Sequence, residues 1–231
     1  MAVFMCQYDY LFFSGLSLVL FFFAYLASPS RRGGMLRSAW LAAPIGFASV
    51  FFVPDYWNPR RLFTALAGIE DIIFSFATGG LAWWFACLAL DGNKRAVFHG
   101  KHAFYRLSLF MLTGQNLFVL AIHRGMKPMD ALFLSMLAVG AVFWKMSGAG
   151  FGFLLAGGAG FAAFYGVLLE IIFRLSPGFL EQWNLEQLWG VFIGRVPLEE
   201  ILWALGLGIL WPMAIRYVFQ VRIVPAGEAG S

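Results

Sequence analysis

The chain has 231 residues, of which 61% are hydrophobic and 12% are charged, with a formal net charge of +4. Soluble domains carry roughly 25% charged residues, so a water-soluble globule would have too few polar side chains to cover 27 Phe and 9 Trp. In lipid that difficulty disappears, because the apolar surface is then the wetted one. The two cysteines, Cys6 and Cys87, exclude a disulfide scaffold and have no metal-type spacing. The positive charge lies in short loops between apolar runs, which reads as membrane topology and not as a nucleic-acid surface. The first apolar run is long enough to span, has no basic n-region, and is not closely followed by a small-residue cleavage site, so it reads as a span rather than a cleavable signal.

A helical span needs about 20 apolar residues. In chain order the candidates are 8–27, 38–53, 69–90, 105–122, 129–146, 150–173 and 197–218. Turn-forming residues separate them: Ser28-Pro-Ser-Arg-Arg-Gly-Gly, Asp91-Gly-Asn-Lys-Arg, Arg124-Gly-Met-Lys-Pro and Ser176-Pro-Gly. The expectation is an all-α integral membrane protein with about seven transmembrane helices. Seven spans place the termini on opposite sides. Of the 16 Lys and Arg, ten fall on the C-terminal side and six on the other. The positive-inside bias then predicts a cytoplasmic C-terminus, in the cell (inner) membrane.

One long segment, 176–196, does not read as a span. It mixes Trp, Phe and Leu with Glu, Gln and Asn, and suits the interface or a fold back into the bundle. It leads into Pro197-Leu-Glu-Glu at the head of the last span. An echo precedes the third span, where Asn58-Pro-Arg-Arg-Leu-Phe leads into Gly68-Ile-Glu-Asp. Glu70 to Glu199 and Asp71 to Glu200 share an offset of 129 residues. This predicts two parallel three-helix repeats, 1–104 and 124–231, joined by a linker helix at 105–123. Parallel repeats put both acidic pairs at one membrane face, around a pseudo-two-fold axis along the membrane normal.

Pro at the first helical turn followed by carboxylates is also an ordinary helix start. Two features favour chemistry. The apolar run begins at once after Glu200, and ionisable groups at a membrane boundary are costly enough to be functional candidates. The pattern also occurs twice. Neighbours on a helix project about 100° apart, so one carboxyl of each pair faces the interior while the other orients it or meets a neighbouring helix. The candidate catalytic residues are therefore Glu199, Glu200, Glu70 and Asp71. A carboxyl in an apolar cavity beside a second carboxylate keeps its proton near neutral pH and can protonate a weak base.

The remaining polar residues read as structural. Glu170 and Arg174 form an i,i+4 pair. Gln115 and Asn116 suit hydrogen bonds across helices. His99, His102 and His123 have no ligand spacing, so no metal site and no cofactor are expected. The Gly-rich run 148–160 suits close helix packing. Among the aromatics, Trp57, Phe74, Trp83, Trp84, Trp183, Trp189 and Trp203 lie near the acidic level or in the motif helices. Those lining a cavity could stabilise a carbocation through their π faces.

Asn184-Leu-Glu186, Gly190 and the run from Gly194 through Pro197-Leu-Glu-Glu to Trp203 resemble the motif of the lycopene cyclase domain, in its small membrane type. The second repeat matches well. The first departs from it, with Gly68 in place of Pro, Asp71 in place of Glu, and Arg60 where an earlier Glu would fall. The resemblance implies a redox-neutral cyclisation. A carboxylic acid protonates the terminal double bond of an acyclic polyene, an internal double bond attacks the tertiary cation, and proton loss leaves a six-membered ring. It adds Asn184, Glu186, Phe74 and Trp203 as substrate-cavity candidates, and a long apolar isoprenoid entering from the bilayer as the partner. A terpenoid cyclase or hydratase on another isoprenoid is the alternative within this chemistry, and a transporter or non-catalytic membrane subunit the alternative outside it. A retinal photoreceptor needs a Schiff-base lysine, and 197–218 contains none.

Overall fold

The structure, a computed structural model, describes residues 8–63, 67–90 and 94–225. Cys6 and the first part of the turn expected at 91–95 lie outside the described residues. Among the described residues seven α-helices follow one another: α1 Asp9–Ala27, α2 Arg32–Ala42, α3 Ile69–Cys87, α4 Ala103–His123, α5 Pro128–Ser147, α6 Phe151–Leu175 and α7 Leu198–Val218. The second span is composite, because α2 tightens at Pro44 into a 3-10 segment, Ala43–Phe51.

Counting α2 with its 3-10 extension, six helices among the described residues are long and apolar enough to cross a membrane, as an all-α membrane protein requires. The helix that falls short is α3, with 19 residues that include two carboxylates, Thr78, Gly79 and Gly80. It sits at the centre of the bundle, packed by α1, α2, α6 and α7, so its surface is set by close approach and not by lipid. A Cβ at Gly79 would lie 2.2 Å from the Ala42 Cβ, and one at Gly80 2.3 Å from the Phe21 ring. Small residues are what let helix backbones approach in a membrane.

The α6–α7 crossing uses the same device. A Cβ on Gly157 would stand 2.3 Å from the Gly208 carbonyl oxygen. That carbonyl has no helical donor four residues on, because Pro212 lacks an N–H. A hydrogen-bonded relay then ties three helices together, from the Trp211 indole to Ser38 Oγ (3.0 Å) and from Ser38 to the Gly79 carbonyl (2.7 Å).

The expected turn at 28–34 is corrected. Pro29–Arg31 is a 3-10 turn and helix resumes at Arg32. The Arg32 guanidinium donates to the Tyr25 and Leu26 carbonyls, satisfying the end of α1. Gly34 leaves room for Trp83, whose indole nitrogen would be 2.4 Å from a Cβ there.

Short strands close both ends. Lys94–Val97 (β1) pairs antiparallel with Arg222–Pro225 (β4), and Phe192–Ile193 (β2) with Val196–Pro197 (β3). At the acidic end the two lead-in segments meet. Trp57 and Trp183 form an antiparallel bridge, the Asn58 N–H donates to the Gln182 carbonyl (2.6 Å), and the Asn184 N–H donates to the Tyr56 carbonyl (2.9 Å). The non-spanning segment thus folds into the bundle through Phe179, Gln182 and Trp183, all buried, while 189–195 stays exposed.

Gln115 and Asn116 are both exposed and not bonded across helices as expected, because α4 turns only Phe110, Phe118 and Ala121 into the protein. Glu170 and Arg174 do pair, at 2.8 Å, and Glu170 also accepts the Arg195 N–H at the neck of the β2–β3 turn.

Candidate active site

The acidic pairs sit at the first turns of α3 and α7, and in each the two carboxyls diverge. The first of each pair turns back to its own lead-in segment. Glu70 Oε1 accepts the Leu62 N–H (2.7 Å), and Glu199 Oε1 accepts the Trp189 N–H. Both are buried, and among the described residues the second oxygen of each has no hydrogen-bond partner. Of each pair it is the second residue, Asp71 or Glu200, that lines the shared cavity, and not Glu70 or Glu199. The reason is helical projection. With the first carboxyl bonded to the loop, the next one is rotated about 100° toward the bundle axis.

Glu200 is held by three neutral donors. Tyr56 Oη (3.0 Å) and Trp183 Nε1 (2.9 Å) both donate to Oε1, and Tyr165 Oη meets Oε2 at 3.0 Å. Burial first, and then the Glu200 charge, push the Tyr56 hydroxyl well above the ordinary tyrosine range, so it remains a donor. An indole N–H can only donate. Oε1 is therefore fixed as an acceptor in either protonation state, and Oε2, opposite a hydroxyl that can donate or accept, is the oxygen able to carry a proton.

Asp71 has a different environment. It accepts from Tyr10 Oη (2.9 Å) and the Gly68 N–H (2.6 Å), and forms a salt bridge of 2.9 Å with Arg61, both side chains being 3% exposed. Arg61 also reaches the other carboxylate oxygen at 3.1 Å. A carboxylate offers about four acceptor positions, and these contacts occupy them.

The cavity has a volume of about 270 Å³. Between the carboxyls its wall is aromatic. Phe74 stacks on Trp203 with ring centroids 5.9 Å apart, Tyr165 lies 5.1 Å from Trp203, and Tyr10 meets Trp57 edge-on at 4.7 Å. π faces at such distances from a common space can attract a cation, more strongly where water is excluded.

Of the aromatic candidates, Trp57, Phe74, Trp183 and Trp203 line the cavity. Trp83, Trp84 and Trp189 do not. Trp83 packs on Phe98 and Phe153, Trp84 donates to Ser28 Oγ, and Trp189 donates to Asp130. Asn184 and Glu186 are also not at the cavity. Asn184 clamps the lead-ins by donating to the Asp55 carbonyl (3.1 Å) and accepting the Glu186 N–H (3.2 Å), while Glu186 itself is exposed outside the cavity wall. The residues that sequence reasoning missed are Tyr10, Tyr56, Tyr165 and Arg61. One signal was available: a carboxyl inside an apolar bundle needs donors, and in these helices Tyr and Trp are the amphipathic residues that can bring them.

Apolar helices around an aromatic-walled chamber that holds two unlike carboxyl groups define a membrane-type fold with a site for an apolar molecule. The chain belongs to the lycopene cyclase family, whose model matches residues 102–218, from the start of α4 to the end of α7. The match takes in Pro197-Leu-Glu-Glu and leaves out α1–α3. No curated protein and no solved structure matches the chain.

Proposed function

We propose that the protein cyclises an end group of a lycopene-type polyene, with Glu200 as the acid. The observation that carries this reading is the hydrogen-bonding of Glu200. Oε1 is fixed as an acceptor by Tyr56 and Trp183, which leaves Oε2 to hold the proton beside the aromatic wall of the cavity. In the reaction the Oε2–H bond breaks and a C–H bond forms at the terminal double bond. The tertiary cation is attacked by an internal double bond, a C–C bond closes the six-membered ring, and a ring proton is lost. Substrate and product are isomers, so no electrons are exchanged. Trp203, Phe74 and Tyr165 face the cation. Asp71 has its acceptor positions filled by Arg61, Tyr10 and Gly68, which leaves none directed at the substrate. The final proton therefore returns to the Glu200 carboxylate left by the first step, which resets the enzyme. Tyr56 and Trp183 act through Glu200 as positioning residues, and Asp71 acts through Tyr10.

Expression in cells that accumulate the acyclic polyene, followed by chromatography of their pigments, tests this reading. Ring-bearing isomers of unchanged mass are expected. An unchanged acyclic pool alongside folded protein would refute cyclase activity, and a product heavier by one water would support the hydratase reading instead.

The two-repeat organisation, 1–104 and 124–231 about the linker 105–123, belongs to the same proposal. Its support is that both acidic helices use the same division of labour, the first carboxyl to its lead-in and the second to the cavity. The orientation rests on the Lys/Arg count. A reporter fused after Ser231 should be active in the cytoplasm and one fused before Met1 should not. The same side for both would mean that one of the seven helices does not cross.

A further inference from the structure

The acid chamber is too small for the molecule it is proposed to act on. Sites for drug-sized ligands occupy roughly 300–1,000 Å³, and the chamber's 270 Å³ accommodates an end group but not a long polyene. A second apolar space of about 580 Å³ lies beside it, between the 3-10 segment Ala43–Phe51, α4, α5 and α7. The two share part of their walls, including Ala48, Phe52, Met136, Leu207 and Trp211. The outer one is a groove, open at the exposed rings of Trp40, Phe47 and Phe51. Its far wall is α4, the helix with the fewest residues turned into the protein, so this side is held least tightly.

We infer that this lateral groove binds the uncyclised remainder of the polyene while one end occupies the acid chamber. The inference rests on the proposed cyclase activity and adds to it a tail-binding subsite and its consequence. Continuity with the chamber, greater volume and an aromatic, almost wholly apolar lining fit a conjugated chain, and the open side gives direct access from lipid. The chamber receives one end group at a time. A chain with two reactive ends must leave and re-enter reversed, so the singly cyclised molecule is released as a free intermediate.

Leu210 and Met111 line the groove on opposite walls and do not line the chamber. Leu210→Trp and Met111→Trp, each checked for monodispersity in detergent, fill it. Purified protein is incubated with vesicles carrying the long acyclic polyene, and retained polyene is read by visible absorbance. Turnover is compared with that of a short acyclic chain bearing a single end group. Each variant should retain about tenfold less polyene, and its long-to-short turnover ratio should fall about tenfold, as overpacking a fitted site does. Wild-type retention and ratio in both variants would overturn the inference. So would equal loss on the two chains, which would mark general damage, or an absence of retained polyene in the wild type. Groove-dependent retention by a wild type that forms no ring would leave the groove standing and remove the cyclase reading.

Discussion

Glu200→Gln is expected to abolish ring formation while leaving the protein in the membrane. The amide keeps the shape of the side chain and can still accept from Tyr56 and Trp183 through one oxygen, so the local fold has little reason to change. It has no transferable proton. Positioned general acids contribute about 10² to 10⁴ in rate, and the other carboxyl in the chamber wall, Asp71, is held in its salt bridge with Arg61, so the loss should lie at the upper end of that range. Glu199→Gln and Glu70→Gln should cost much less, because an amide oxygen can still accept the Trp189 and Leu62 N–H groups. Tyr165→Phe should fall between them, since it removes only the hydroxyl facing Oε2. The measurement is product per unit of folded protein, with monodispersity in detergent as the control. Undiminished turnover in Glu200→Gln would remove the acid assignment.

Asp71→Asn should have the largest effect on stability. It leaves the Arg61 guanidinium, 3% exposed, facing a neutral amide. Removing one partner of a buried ion pair typically costs about 3–5 kcal/mol, whereas replacing both by apolar or neutral groups can be nearly neutral. The double variant Arg61→Met/Asp71→Asn should therefore regain most of the lost stability, read as the thermal midpoint in detergent. Equal stability of Asp71→Asn and wild type would show that the pair contributes nothing. The double variant also separates two roles. If Asp71 only positions Tyr10, a stable double variant keeps substantial turnover. A stable but inactive one would make Asp71 the base that takes the final proton.

Much of this molecule was legible from its residues alone. The lipid environment, the helix count and nearly every helix boundary follow from apolar runs of spanning length broken by Gly, Pro and charge. The acidic pairs stood out because carboxylates are costly at a membrane boundary, and their division into one inward and one sideways residue follows from 100° of rotation per residue. Motif spacing led to the family, and the family match covers the half of the chain where the motif is intact.

What the residues could not show was which member of each pair turns inward. That depends on the phase of a helix relative to its neighbours, set at α3 and α7 by the bonds that the Leu62 and Trp189 N–H groups of the lead-in segments donate to the first carboxyl. Nor could they place Arg61 on Asp71, or bring Tyr56, Tyr165 and Trp183 from separate segments onto one carboxyl. Asn184 and Glu186 looked like site residues because they share the motif, yet they serve the junction of the two lead-in segments. Hydrophobicity along the chain decides that a segment lies in the membrane, and it is a one-dimensional property. The partner of a buried polar group is chosen by packing across the bundle, and only the tertiary structure contains that information.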